Sequence, residues 1–268
     1  MSQVSYSHGH HASVVGAHAA RTVANSAAYL APLLRPGMRV LDVGCGPGSI
    51  TIDLARRVGS TGHVVGIDQS AEVVETARAA AAEAGVANVE LRVGDAYDPA
   101  PGERFDVVHA HQVLQHLGDP VGALTAWRAV GELVAAREVV YSATTIHPLA
   151  PELARWRELM GALQTANGGD GDAGAKLKSW ARAAGFASIE TDVETWCFES
   201  AEGRAFWGGQ WQERALHSAF ADGTERHGLA DAHERQAISA AWAAWAADED
   251  GWMAMLHGWI LATDRPAE

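Results

Sequence analysis

The sequence predicts an α/β fold: a mostly parallel sheet with helices on both faces. Three observations carry that reading. Short apolar runs lack clean alternation, as strands buried on both sides do. Helical patterns long enough for crossovers separate them, which implies βαβ units. A glycine-rich loop joins the first strand to the helix after it.

Residues 1–34 read as a histidine-rich leader and then a helix over roughly 14–34. "MRVLDVG" is the first strand, followed by a helix in "SITIDLARRVG" with Ile50, Leu54 and Val58 on one face. "GHVVGID" is the second strand. The next helix has Ser70 as N-cap, Glu72 in its first turn and Gly85 as its stop. "NVELRV" and "FDVVHA" are the third and fourth strands. Asp119 as N-cap and Pro120 at the first helical position start another helix. "LVAAREVVY" is the fifth strand. Residues 146–250 are largely helical, interrupted by "NGGDGDAG" and by a sixth strand in "GFASIETDVETWCF". "GWMAMLHGWILATD" supplies a seventh. The expected division is 1–34 as an N-terminal lid, 35–145 as the binding core, and 146–268 as a helical cap plus the last strands.

At 268 residues the chain suits one large domain or a domain with a cap. Its net charge of −13 disfavours a nucleic-acid backbone or an anionic membrane as partner. Cys45 and Cys197 are the two cysteines, and Cys45 lies within the glycine cluster, so two free thiols are expected. The N-terminus lacks signal-peptide character, and no apolar run approaches the ~20 residues of a membrane span. A cytoplasmic location is the expectation. A homodimer is left open.

The loop "DVGCGPG" decides the ligand class. A phosphate-binding P-loop needs a lysine, and none is near. A dinucleotide loop spaces its glycines as G-x-G-x-x-G, whereas Gly44, Gly46 and Gly48 alternate. Asp42 before the first glycine is unwelcome to a pyrophosphate and suits a cationic ligand. The pattern resembles the first motif of class I S-adenosylmethionine (SAM)-dependent methyltransferases, nearest to the ubiquinone- and menaquinone-biosynthesis type and its small-molecule relatives. "VVGID", "VGDA" and "FDVVHAHQVLQHLGDP" resemble that family's later motifs, in order, over residues 38–141.

That resemblance implies a Rossmann-like seven-stranded sheet, with an N-terminal helical lid and a helical cap insertion. It implies SAM as cofactor, with Asp42, Gly44, Cys45, Gly46, Gly48 and Gln69 among its binding residues. Asp68 would hold the ribose, and Asp95 and Ala96 the adenine. Ala110, His111 and Gln112 would lie beside the methionine end. Tyr6, His10 and Arg21 are candidates to cover the site or bind the SAM carboxylate, Arg21 having the planar donor fork for it. The family's common Pro-Gly-Gly turn before the fifth strand is replaced by "VGE". The (D/N)PP(Y/F) motif of base methylation is absent.

The expected reaction is methyl transfer to O, N or C of a small molecule. His111, His10 and Tyr141 are the candidate bases, needed only where the acceptor must lose a proton. His116 is expected to cap or pack locally. Arg137 either orients substrate with Tyr141 or pairs with Glu138 or another acid. His8, His10 and His11 lack companion ligands for a metal site, so no metal is expected. Trp180, Trp196, Trp207, Trp211, Trp242, Trp245, Trp252 and Trp259 cluster toward the C-terminus. They suit core packing, or the walls of a pocket for an apolar or aromatic acceptor. Alternatives are an aminopropyl transferase using decarboxylated SAM and a non-catalytic SAM-binding subunit.

Overall fold

Five parallel strands form the heart of the protein, and their C-terminal ends share one edge. The structure is a computed structural model and describes residues 21–265. Strands β1 (Arg39–Val43), β2 (His63–Asp68), β3 (Val89–Val93), β4 (Phe105–His111) and β5 (Gly131–Val139) lie in the order β3-β2-β1-β4-β5. The order reverses direction between β1 and β4, which leaves a crevice at the carboxyl edge where open α/β sheets bind ligands. Two further strands, β7 (Ser188–Phe198) and β8 (Trp252–Thr263), complete the seven read from sequence.

Among the described residues the sheet has an eighth strand, β6 (Thr145–His147), that sequence patterning does not reveal. β8 runs antiparallel to β5 from Val139↔His257 to Leu133↔Thr263, and pairs with β7 along its other side. Being longer than its overlap with β5, β8 leaves Trp252–Ala254 unpaired on that side, and β6 takes those positions. Three residues are too few to carry a strand pattern. Their pairing comes from the neighbour's length.

Before β1, the described chain holds α1 (Val23–Ser26) and a 3-10 turn at Ala31–Leu33. Among the described residues 21–34, the expected helix is not continuous. Thr22 is extended, its hydroxyl accepts from the Asn25 amide, and Asn25 Oδ1 accepts from the Thr22 amide. This capping box starts a helix where a longer one would have continued. The other caps match their sequence signals: Ser70 Oγ accepts from the Val73 amide, and Asp119 Oδ1 accepts from the Gly122 amide at 2.8 Å.

The helices α2 (Ser49–Val58) and α3 (Ala71–Glu83) cover one sheet face, while α4 (Pro120–Val130) and α6 (Ala173–Ala183) cover the other. Helix α6 approaches β8 so closely that a Cβ on Gly258 would lie 2.2 Å from the Gly174 carbonyl oxygen. α5 (Pro151–Ala166), α7 (Ala201–His217), α8 (Ala219–Arg226) and α9 (Ala232–Ala247) build a cap with a separate core. Trp156 is its centre, with the rings of Trp211 and Trp242 edge-on at 4.8 and 4.9 Å. Such edge-to-face pairs each add about 1 kcal/mol beyond burial. Among the described residues no helix is long and apolar enough to cross a membrane.

Candidate functional site

The glycine loop after β1 turns through three left-handed residues, Gly44, Gly46 and Gly48, at φ +67°, +54° and +87°. Any side chain is strained in that region. At Gly44 space forbids it as well, because a Cβ would lie 2.5 Å from Val113 Cγ2 just beyond β4. The loop is tied to β2 by the Cys45 amide donating to the Ile67 carbonyl, and by the Gly46 amide donating to Asp68 Oδ2 at 3.2 Å. Asp68 Oδ1 accepts from the Ser70 amide at 3.0 Å. Each carboxylate oxygen keeps a lone pair, so the half-buried Asp68 can still accept from a diol. Exposed Gln69 follows it.

Asp95 is exposed at the end of β3, with Oδ1 taken by the Tyr97 amide. The neighbouring Ala96 carbonyl is fixed by the Trp127 indole N–H at 2.8 Å. These residues fit SAM chemically. The left-handed glycines let backbone approach a ligand without a Cβ in the way, and two acids project at the ends of adjacent strands.

Asp42 is held beneath the loop by hydrogen bonds within the fold. It is 3% exposed, and both oxygens are engaged: the Thr51 hydroxyl donates to Oδ2 at 2.5 Å, and His109 Nδ1 lies 2.7 Å from Oδ1. It braces the loop from below. Cys45 is buried, and burial raises its thiol well above the ordinary range, so it is no nucleophile.

At the exit of β4, Gln112 has φ +57°, the only non-glycine residue among those described with positive φ. Its Oε1 accepts from Arg21 Nη2 at 2.7 Å, and its Nε2 lies 2.9 Å from His257 Nε2. His257 Nδ1 faces the Met255 carbonyl at 3.0 Å, so that nitrogen carries the proton and Nε2 accepts from the amide. Backbone held in a sparsely populated region by its surroundings is characteristic of functional sites.

Beside Gln112 lies a cavity of about 550 Å³, between the β4 and β5 ends, β7 and α7. Trp196, Phe198, Phe206, Trp207, Trp211 and Tyr141 give it aromatic walls. Arg21, Arg137 and Arg214 also line it, with Glu194 as the only acid among the described lining residues. Arg137 is fully buried, 5.0 Å from the Trp196 ring centroid, and its Nε lies 3.0 Å from Glu194 Oε2. Burial lowers the guanidinium to about 10. Arg137 thus pairs across to β7 and not with its neighbour. Glu138 points to the opposite face, accepting from the Val113, Leu114 and Gln115 amides to hold the 3-10 turn at Leu114–His116. Burial pushes its carboxyl up to about 8, and the three amides pull against that.

Of the candidate bases, Tyr141 lines the cavity and His111 does not. His111 is buried with neither ring nitrogen hydrogen-bonded among the described residues, 5.7 Å from Trp196 and 6.2 Å from His257 between ring centroids. Burial, reinforced by nearby arginines, holds it well below the ordinary histidine range. His116 packs locally, 3.1 Å from Gln115 Nε2. Tyr6, His8, His10 and His11 lie outside the described residues.

Sequence reasoning missed Glu194, Arg214 and His257. β7 was legible as a strand, but which of its residues meets Arg137 depends on pairing through β8. The tryptophans divide between both uses read for them. Trp156, Trp242 and Trp245 are core, whereas Trp196, Trp207 and Trp211 reach the cavity.

Fold and site together define a SAM-dependent methyltransferase. Residues 34–213 match the methyltransferase domain family, and the chain belongs to it. An uncharacterized methyltransferase of Schizosaccharomyces pombe is 31% identical over 97% of this chain and 96% of its own. The aklanonic acid methyltransferase of Streptomyces sp. strain C5 is 40% identical over 43% of this chain and 54% of its own. Among solved structures, the YcgJ protein of Bacillus subtilis superposes with a TM-score of 0.55 at 14% identity, covering 89% of this chain and 97% of that one. Phosphoethanolamine N-methyltransferase 2 of Haemonchus contortus, solved with S-adenosylhomocysteine, gives 0.54 at 16% identity, over 87% of this chain and 50% of that one.

Proposed function

We propose that the protein transfers the SAM methyl group to a small acceptor with aromatic or apolar character, bound in the cavity beside Gln112. One observation carries this reading: an aromatic-walled space of about 550 Å³ opens at the end of β4, next to the residues suited to the methyl donor. That volume lies within the range of small-molecule pockets. Relatives named as O-methyltransferases support oxygen as the accepting atom. The nocamycin O-methyltransferase of Saccharothrix syringae is one, 51% identical over 28% of this chain.

Bound SAM supplies an electrophilic methyl on a sulfonium, a leaving group that needs no further activation. In this reading Asp68 accepts from the ribose hydroxyls and Asp95 from the adenine amine. Gly44 and Gly46 admit the methionine backbone, and Arg21, at the β4 exit, meets its carboxylate. Asp42 acts through the loop and does not touch the ligand. Gln112, held by Arg21 and His257, sets the boundary between donor and acceptor. The walls then align the acceptor and exclude water, where most of the rate enhancement arises.

The test has two parts. Titration calorimetry should show SAM binding by the wild-type protein, weakened at least about tenfold in Asp68→Ala through loss of a charge-assisted hydrogen-bonding pair. Incubation with methyl-labelled SAM and a metabolite extract should put label into a small molecule. Unchanged SAM affinity in Asp68→Ala would refute the ribose assignment. Tight SAM binding with no labelled product would refute the transferase reading.

A further inference from the structure

Resting on that reading, we propose that the acceptor is an aromatic carboxylic acid, that Arg137 holds its carboxylate, and that a carboxylate oxygen receives the methyl.

The first argument is charge. In a chain of net charge −13, the described residues lining the cavity include three arginines and one acid. Arg137 is buried without residual exposure, and its Nη1 has no hydrogen-bond partner among the described residues. An unsatisfied buried donor is costly, and more so on a charged group. Glu194 Oε2 lies 3.0 Å from Nε, and Nη1 is left without a hydrogen-bond partner among the described residues. A carboxylate is the acceptor whose geometry matches the free part of the fork. The Trp196 ring lies against the same guanidinium, so the group next to the carboxylate meets an aromatic face.

The second argument is the proton. A phenol, an ammonium or a carbon acid must be deprotonated before it attacks. The cavity wall contains no histidine among the described residues, Glu194 is committed to Arg137, and the Tyr141 hydroxyl, a phenol, is a much weaker base than an imidazole. His111 lies off the wall, packed near Trp196 and His257. A carboxylic acid is already ionised at neutral pH and asks for no base. The two arguments are independent, and both select the same nucleophile.

The step balances without a co-reactant. A carboxylate oxygen lone pair forms the new O–CH3 bond as the CH3–S bond breaks, and the bonding pair goes to sulfur. An anion and a sulfonium become a neutral methyl ester and a thioether. No proton moves.

Methyl esters release methanol in dilute alkali, whereas methyl ethers, N-methyl amines and C-methyl groups keep their label. The products formed from methyl-labelled SAM and a metabolite extract should therefore lose the label as volatile methanol on treatment with dilute alkali. Label that is wholly alkali-stable would overturn this inference and leave the methyl-transfer reading standing. No label at all, despite SAM binding, would remove both. A direct binding probe is tryptophan fluorescence quenching by 2-naphthoate against 2-naphthamide. Naphthoate should bind at least tenfold tighter, the difference should vanish in Arg137→Met, and Arg137→Lys should restore part of it. Equal affinity of acid and amide for the wild-type protein would count against the carboxylate assignment. Circular dichroism and SAM titration establish that each variant is folded, and the alkali test needs no variant.

Discussion

Gln112 Nε2 lies 2.9 Å from His257 Nε2, joining the exit of β4 to β8 across 145 residues of chain. The imidazole is held in the tautomer that accepts, because its other nitrogen faces the Met255 carbonyl. The amide is thereby fixed with Oε1 toward Arg21, on a residue whose backbone is left-handed. Replacing His257 by Leu removes that acceptor. The expected outcome is a loss of about 1–2 kcal/mol in stability and a larger fall in kcat than in SAM affinity. Urea unfolding and a parallel kinetic and calorimetric comparison check it; an unchanged kcat would mean that Gln112 needs no such support.

Gly44→Ala combines two penalties. The alanine must occupy φ +67°, and its Cβ would meet Val113 Cγ2 at 2.5 Å. A non-glycine residue there costs on the order of 1–2 kcal/mol before the clash is relieved. SAM affinity should fall more than tenfold, because the loop must move from the position that admits the ligand. Titration calorimetry reads this directly, and wild-type affinity in the alanine variant would be the contrary result.

Asp42→Ala should be among the more damaging single changes in the protein. It strands the Thr51 hydroxyl and His109 Nδ1, both fully buried, without acceptors. Each buried polar group left without its hydrogen-bond partner costs about 1–3 kcal/mol. Asp42→Asn keeps an acceptor for one of the two and should cost about half as much. Chemical denaturation of the pair of variants discriminates this bracing role from direct ligand contact, which predicts full stability and lost SAM affinity.

Acid should destabilise the fold below about pH 6.5, the ordinary histidine value. Burial holds His111 and His257 well below that range and lowers His116 to about 3. Above about pH 6.5 these imidazoles are neutral whether folded or unfolded, and contribute no pH dependence. Below it the unfolded chain takes up protons that the folded one refuses, so stability falls as pH falls. Each such histidine adds a slope of up to about 1.4 kcal/mol per pH unit. Urea unfolding followed from neutral pH into mild acid measures the slope, and His116→Gln should reduce it by about one proton.

Much of the local backbone geometry was legible in the chain itself. Loop glycines act through local backbone freedom, so the spacing of "DVGCGPG" is enough to announce a close ligand approach. Ser70 and Asp119 cap their helices by contacts three residues away, and Gly85 turns left-handed just past the helix end, as local chemistry dictates. The strands β1–β5 show themselves by apolar runs, since a parallel sheet buries both faces.

Other assignments depended on contacts the linear order hides. Asp42 belongs to the motif by position, yet its carboxylate turns inward because His109 of β4 and Thr51 of α2 pack beneath the loop. β6 exists only because β8 outruns β5. Thr22 starts a helix within the span where apolar patterning suggests one unbroken element.

The sequence by itself determined the class of protein and the identity of its cofactor, because those rest on a short motif series whose chemistry is local. Only the tertiary structure decided the aromatic-walled cavity beside Gln112. Its wall draws Arg137 from β5, Glu194 and Trp196 from β7, and Arg214 from α7, segments that meet only through pairing with β8 and packing of the cap. Side chains so far apart in sequence acquire a common chemistry only when burial removes the water between them. That Arg137 Nη1 has no hydrogen-bond partner among the described residues is visible only there.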